Sequence, residues 1–284
     1  MRAVSLNPAG AGRKLRIVSF GEILFDIFED GAHLGGAPLN LAVHLHRLGA
    51  ESLLISAVGQ DELGDSALKT IAKEGLPLDY IAQVPRPTGS VTVSLNEAKV
   101  PIYNFLVDCA YDYIPVPESK LPELDLFCFG TLAQRGTQSR AALGQLLSKV
   151  HCRIFCDVNL RQNFYSKEIL EQSLMAADIV KLNEDELPTI ASLFGIEAES
   201  GAVAKRFNLS TVILTIGPAG CEIWHEEKKF HSPACPVEVV STVGAGDAFS
   251  AGFLFNYLSG ASLETAAAAG NKLAAEVAAL PGAF

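Results

Sequence analysis

The sequence predicts an α/β fold built on a mostly parallel central sheet, and three observations carry that expectation. Short apolar runs recur along the chain with helical stretches between them: "LRIVSFGEIL", "SLLISAVG", "LDLFCFG", "CRIFCDVN", "ADIVKLN" and "TVILTIG". Strands that read as continuous apolar runs are buried on both faces, as in a parallel sheet. Polar and glycine residues cluster just past these runs: Gly21 and Glu22, Gly59, Gly130, Asp157 and Asn159, Asn183, and Gly217. Ligands of open α/β sheets bind at such carboxyl ends.

One region breaks the alternation. In "GSVTVSLNEAKVPIYNFLV", Val91, Val93 and Leu95 recur at period two before a polar turn and a second extended run. That pattern predicts an antiparallel hairpin. Together with residues 25–34 it would form a small second sheet, a candidate lid over the strand ends. An edge hairpin without function is the plainer alternative.

Composition narrows the classes further. The 284 residues are 49% hydrophobic and 19% charged, as expected of a folded globular chain. A formal net charge of -10 leaves no basic field for a polyanion, which argues against nucleic acid and anionic membranes as partners. The six cysteines form no C-x-x-C pair, so they are expected as reduced core thiols. Without an apolar leader or spanning segment, the expected location is cytoplasmic.

The stretch "STVGAGDAFSAGF", Ser241 to Phe253, concentrates the chemistry. Gly244, Ala245 and Gly246 can turn several backbone N–H groups toward one point, and the apolar run that follows predicts a buried helix. A helix start preceded by glycines is an anion site. Asp247 falls in the first turn, so a carboxylate base would stand beside a place for phosphate. On its residues alone the stretch serves equally as a helix cap with close packing. Other templates fail: "GK" never occurs, Phe249 occupies the last position of a G-x-G-x-x-G, and neither H-E-x-x-H nor G-x-S-x-G is present.

This stretch resembles the C-terminal signature of ribokinase-like (PfkB-type) carbohydrate kinases, and "GGAPLNLAVHLHRLGA", Gly35 to Ala50, resembles their N-terminal one. "GEILFD", "RPTGSVTVSL", "FGTLAQR", "DVNLR", "NEDE" and "TIGPAG" are similar, in order, to the fructokinase branch. The resemblance implies a ribokinase-like three-layer fold with a small β-sheet lid. One kinase domain would span 15–284, with lid segments near 24–34 and 86–114 and a tail over 1–14. It implies an ATP-dependent sugar kinase, a fructokinase first, with a 2-keto-3-deoxygluconate or other sugar or nucleoside kinase as the alternative. A sensor that keeps the fold without turnover is the alternative from another class.

Carried over by position, the resemblance makes Asp247 the base and the amides of Gly244, Ala245, Gly246 and Asp247 the anion hole. Asp26, Gly35, Gly36 and Asn40 would bind the sugar. Arg161 would face a sugar acid's carboxylate or simply pair with a neighbouring acid. Asn183 and Glu186 match an N-x-x-E that holds Mg2+ and phosphate through water; Thr215, Gly217, Gly220 and Asn271 would bind the nucleotide. His44 and His46 read as surface or packing residues on a helix, and Trp224 with "HEEKK" as a solvated hairpin. Ser241 stands where the family usually has an aspartate beside a monovalent cation, which puts potassium activation in doubt. Pairing of two subunits through their lids is expected to cover Val91, Val93 and Ile102.

Overall fold

The structure is a computed structural model that describes residues 13–28, 31–95 and 101–284. The tail expected over 1–14 lies almost wholly outside the described residues, as does the polar turn of the hairpin. In chain order, β1 (Arg16–Phe20), β2 (Leu24–Phe28) and β3 (Gly31–Gly35) precede α1 (Ala37–Arg47). There follow β4 (Glu51–Gly59), α2 (Glu62–Lys73), β5 (Ile81–Val84), β6 (Gly89–Leu95) and β7 (Pro101–Phe105). The middle of the chain holds β8 (Leu126–Gly130), α3 (Thr137–Leu147), β9 (Arg153–Asp157), α4 (Lys167–Ala176), β10 (Ile179–Asn183), α5 (Glu186–Phe194) and α6 (Ser200–Phe207). The last elements are β11 (Thr211–Thr215), β12 (Cys221–His225), β13 (Lys228–Ser232), α7 (Ala245–Leu258) and α8 (Leu263–Ala278).

Nine strands form the large sheet in the order β13-β12-β11-β10-β9-β8-β1-β4-β5. Its core from β11 to β5 is parallel, and the β11–β12 and β12–β13 pairs at one edge are antiparallel. All six apolar runs are strands of this parallel core. The "HEEKK" turn belongs to the hairpin that extends it. Short β5, with half-buried Ile81, Ala82 and Val84, lacks a long apolar run to announce it.

Helices cover both faces of the sheet. On one side Leu41 and Leu45 of α1, Phe249, Phe253 and Leu254 of α7 and Ala266 of α8 pack against Ile17, Phe155, Ile179 and Ile213. On the other, Leu143, Leu170, Ile190 and Val203 of α3 to α6 pack against Val18, Phe127, Val180 and Val212. Each large apolar side chain buried this way contributes about 1.5–3 kcal/mol. The two phenylalanines therefore anchor α7 firmly, and with it the loop at its start. The six cysteines are thiols, five of them buried. Among the described residues no helix is long and apolar enough to cross a membrane.

The small sheet has the order β3-β2-β6-β7, with β2 and β6 parallel and the outer pairs antiparallel. It stands over the carboxyl ends of the large sheet's strands. Val91 is buried and lines the cleft between the two sheets, so it is not part of an exposed pairing face. Its period-two position on β6 puts it on the inner side. The side chains of Val93 and Ile102 lie outside the described residues.

Candidate active site

Strand register assembles the floor of the cleft. Gly130 pairs with Asp157 across β8 and β9, Asp157 with Lys181 across β9 and β10, and Asn183 with Thr215 across β10 and β11. Above them lies a cleft of about 570 Å3 lined by Asp26, Gly36, Asn40, Arg161, Asn183, Thr215, Gly244, Gly246 and Asp247. Its size suits a small-molecule site.

At one end, Gly244 caps α7 with φ 78, in the left-handed region glycine tolerates. A methyl group there would come within 2.6 Å of Ala283, so the loop is also packed against the C-terminal segment. Gly246 and Asp247 follow in the first turn, where N–H groups lack intrahelical partners and the helix dipole favours an anion. The Ala245 amide donates to the Thr242 carbonyl at 3.3 Å, and the residue does not line the cleft.

Asn40 Nδ2 donates to Asp247 Oδ2 at 2.7 Å. Burial pushes the Asp247 carboxyl up to about 6, and the nearby Asp157 charge pushes the same way. Lys181, the Asn40 hydrogen bond and Arg161 pull it back. The result is a carboxyl that changes charge near neutral pH. Asn40 is thus a partner of the acid, a role its position in the N-terminal signature gave no sign of.

Toward the small sheet, β2 presents Asp26, whose carboxyl is also raised by burial and drawn down by Arg161 and His33. Gly36 adopts φ 120 at the start of α1, and a methyl group there would meet the Glu22 carbonyl oxygen at 2.4 Å. Gly35 is buried and a methyl group on it would lie 3.6 Å from Asp26 Oδ2, so it borders the acid without lining the same cleft. Glu22 stands just past the end of β1. It is buried in the cleft wall with Oε2 lacking a partner, and burial drives its carboxyl up to about 7. Arg161 is exposed; its Nη1 donates to its neighbour's carbonyl, the Leu160 oxygen, at 3.4 Å.

The expected N-x-x-E pair is tied down locally. Asn183 Oδ1 accepts from the amides of Asp185 and Glu186, both at 2.9 Å. Glu186 is buried and accepts from Leu160 N at 2.6 Å and Asn183 N at 2.8 Å. Glu186 therefore latches the loop carrying Arg161 onto the end of β10. Among the described residues no cluster of three or more His, Cys, Asp or Glu could hold a metal.

Thr215 lines the cleft, whereas Gly217, Gly220 and Asn271 do not. Gly220 abuts the backbone after β13, where a methyl group would meet the Ser232 oxygen at 2.1 Å. Asn271 is buried and its Nδ2 donates to the carbonyls of Ser232 and Pro233 at 3.2 and 3.0 Å. Its amide nitrogen is spent on fixing α8 to the loop after β13. Ser241 Oγ likewise accepts from Val243 N at 3.2 Å within its own loop. His44 is buried against the Ala283 carbonyl at 2.8 Å, a packing residue as expected. The structure also places Lys181 on the cleft floor, where Nζ donates to Asp157 Oδ2 at 2.8 Å. A lysine inside the apolar strand "ADIVKLN" was the signal that could have found it.

A helix start open to an anion, a carboxylate of raised affinity for protons and an acid-rich far wall define a group-transfer site. The chain matches the description "pfkB family carbohydrate kinase" over residues 14–283, and it belongs to that family. It is a phosphotransferase whose acceptor is a hydroxyl. A fructokinase of Klebsiella pneumoniae is 29% identical over 255 residues, covering 84% of this chain and 83% of that protein. A sugar kinase of Pyrococcus horikoshii, solved in complex with ATP, superposes with a TM-score of 0.83 at 30% identity, covering 94% of this chain and 93% of that one. A fructokinase of Vibrio cholerae O395, solved with fructose, ADP and calcium, shares the fold with a TM-score of 0.83 at 21% identity, covering 95% and 94%.

Proposed function

We propose that this protein transfers the γ-phosphoryl group of ATP to a hydroxyl of an uncharged sugar, fructose first. The observation that carries the reading is the pairing of Asp247 with Asn40 at the start of α7, on the wall of a cleft whose other end holds Asp26 and Glu22. Carboxyl groups there can accept hydrogen bonds from several sugar hydroxyls, and a site built on such pairing rejects molecules that lack them. The Klebsiella relative and the ATP-bound Pyrococcus structure support the same reading.

In this reading the amides of Gly244, Gly246 and Asp247 hold the transferring phosphoryl group, and Asp247 takes the proton as the sugar oxygen attacks in line. Asp26, Gly36 and Asn40 orient the sugar, with Gly35 shaping the turn. Thr215, with Gly217 and Gly220 beyond it, lies along the nucleotide. The donor set fits a cation held through water: Asn183 and Glu186 already accept backbone N–H groups, so a hard ion such as Mg2+ would take most of its oxygens from phosphate and solvent. That ion would neutralise phosphate charge. Ser241 offers an uncharged oxygen where the resemblance calls for a carboxylate, which weakens the case for a monovalent cation. Residues 15–284 act as one unit whose segments near 24–34 and 86–114 close as a lid and exclude water. A cytoplasmic location and pairing of two copies through the small sheet, where Phe28 is 40% exposed, belong to the same reading; sedimentation of monomer alone at micromolar concentration would remove the pairing.

Arg161 favours a second reading, a kinase for a sugar acid such as 2-keto-3-deoxygluconate, because it is an exposed cation on the cleft wall. The deciding experiment is ADP release with magnesium and ATP over a panel of fructose, other hexoses, sugar acids, sugar phosphates and nucleosides. Fructose is expected to give the highest kcat/KM. Preference for a sugar acid or a nucleoside would replace the proposal, and no ADP release on any acceptor would sink it.

A further inference from the structure

A buried ammonium on an otherwise apolar strand is costly unless the surroundings hold it charged, and replacing such an ion pair by apolar residues is often neutral or stabilising. Lys181 is such a group. It lies at the centre of β10, buried, on the face of the sheet that packs against α7. Its Nζ donates to Asp157 Oδ2 at 2.8 Å. Burial lowers its proton affinity, but the charges of Asp157, Glu186 and Asp247 outweigh that and keep it an ammonium.

Its position is the informative part. A methyl group built on Gly246 would stand 3.4 Å from Lys181 Nζ and 3.9 Å from Cε, so the cation sits directly against the second residue of α7. The side chain lines the same cleft as Gly244, Gly246 and Asp247. An ammonium has three donors, and Asp157 Oδ2 takes one. The pair is also unfinished as a structural element: Asp157 Oδ1 is buried without a partner.

We propose that Lys181 is a catalytic residue that donates to the oxygens of the phosphoryl group in flight, beside the amides of the α7 start. The proposal rests on the kinase reading above. The bond between the phosphorus and the leaving oxygen of ATP breaks, the bond to the sugar oxygen forms, and Asp247 takes the hydroxyl proton. Lys181 keeps its protons throughout. Charge in that transition state spreads over three equatorial oxygens, and a fixed cation on one of them lowers the barrier without tightening the ground state.

The test compares Lys181→Met with the doubly neutral Asp157→Asn/Lys181→Met, which also removes the carboxylate that Lys181 pairs with directly, should the single variant fold poorly. The readouts are kcat, KM for ATP and for the best sugar of the panel, and affinity for ADP with and without aluminium fluoride, which mimics the transferring group. Loss of one such donor is expected to lower kcat about 100- to 1,000-fold in both variants. The aluminium fluoride complex should weaken in step, with ADP alone and both KM values within a few-fold of wild type. Wild-type kcat in the doubly neutral variant, or equal weakening of ADP with and without aluminium fluoride, overturns the assignment and leaves Lys181 a structural partner of Asp157. Failure of the kinase reading is separable, because it shows as absence of ADP release by the wild-type protein itself.

Discussion

The two ends of the cleft are built differently. At the α7 end the side chains pair with one another: Asn40 donates to Asp247, Lys181 to Asp157, and Gly244 is wedged against Ala283, although Asn40 Oδ1 and Asp157 Oδ1 stay buried without partners. At the end under the small sheet, Arg161, Gln162 and Tyr103 are exposed, and the buried Glu22 also keeps an unpartnered oxygen. Electrostatic help in a reaction requires groups fixed before charge develops. Recognition of a particular sugar can instead rest on side chains that settle on the ligand. On the proposed kinase reading, the chemistry belongs to the paired, more rigid end and the choice of substrate to the exposed one.

The largest effect should therefore come from the rigid end. Asp247→Asn is expected to lower kcat by about 10²- to 10⁴-fold while sugar and ATP bind nearly as before, read by steady-state kinetics with calorimetric titration. The substitution should leave the fold intact. A carboxyl whose affinity for protons is raised on folding contributes stability that is complete below its unfolded pKa and is lost as pH rises through about 6. Above pH 6 the amide variant should thus melt no lower than wild type. Near-normal turnover would strip Asp247 of its role and erase the contrast between the two ends.

The same contrast explains what was legible in the sequence. The parallel strands were readable because both faces are buried, so β1, β4 and β8 to β11 announce themselves as apolar runs. Short, half-buried β5 carries no such run. The helix start at Gly244 was readable because backbone geometry there demands small residues and an acid in fixed order. The partners of that acid were not. Asn40 is 207 positions from Asp247, and Lys181 meets Asp157 only through the register of β9 and β10. Nor did the position of Asn271 announce that its amide nitrogen donates to the backbone after β13. Spacing along the chain shows which residues are unusual, whereas folding decides what each of them meets.

A middle-sized effect tests how Asp247 is tuned. Its carboxyl titrates near 6 in the unliganded protein, so kcat/KM should fall as pH drops below that value, because the base must be ionised to accept a proton. The Asn40 hydrogen bond favours the ionised form. Removing it in Asn40→Ala should move the acidic limb upward by about one unit, equivalent to roughly 1.4 kcal/mol of preference for the carboxylate. The measurement is the pH profile of kcat/KM for both proteins under the same ionic strength. An acidic limb that stays in place would mean that Asn40 serves the sugar alone and that the rigid end is less interlocked than its geometry indicates.

The smallest effect belongs to the looser end, and it sharpens the choice of substrate. Arg161 is exposed and its guanidinium donates to the neighbouring Leu160 carbonyl, so most of its field on Glu22, Asp26 and Asp247 is screened by water. If the acceptor is an uncharged ketose, Arg161→Gln should raise its KM by less than about tenfold, since an exposed charge near a neutral hydroxyl contributes little. A sugar acid would behave otherwise, because a guanidinium facing a carboxylate makes paired, charge-assisted hydrogen bonds that glutamine cannot replace. Michaelis curves for fructose and for 2-keto-3-deoxygluconate with both proteins separate the cases. A drop confined to the sugar acid, on a protein that prefers it, would move the specificity of this cleft from its acidic wall to its exposed arginine, and the small sheet would then be read as closing over a charge and not over a polyol.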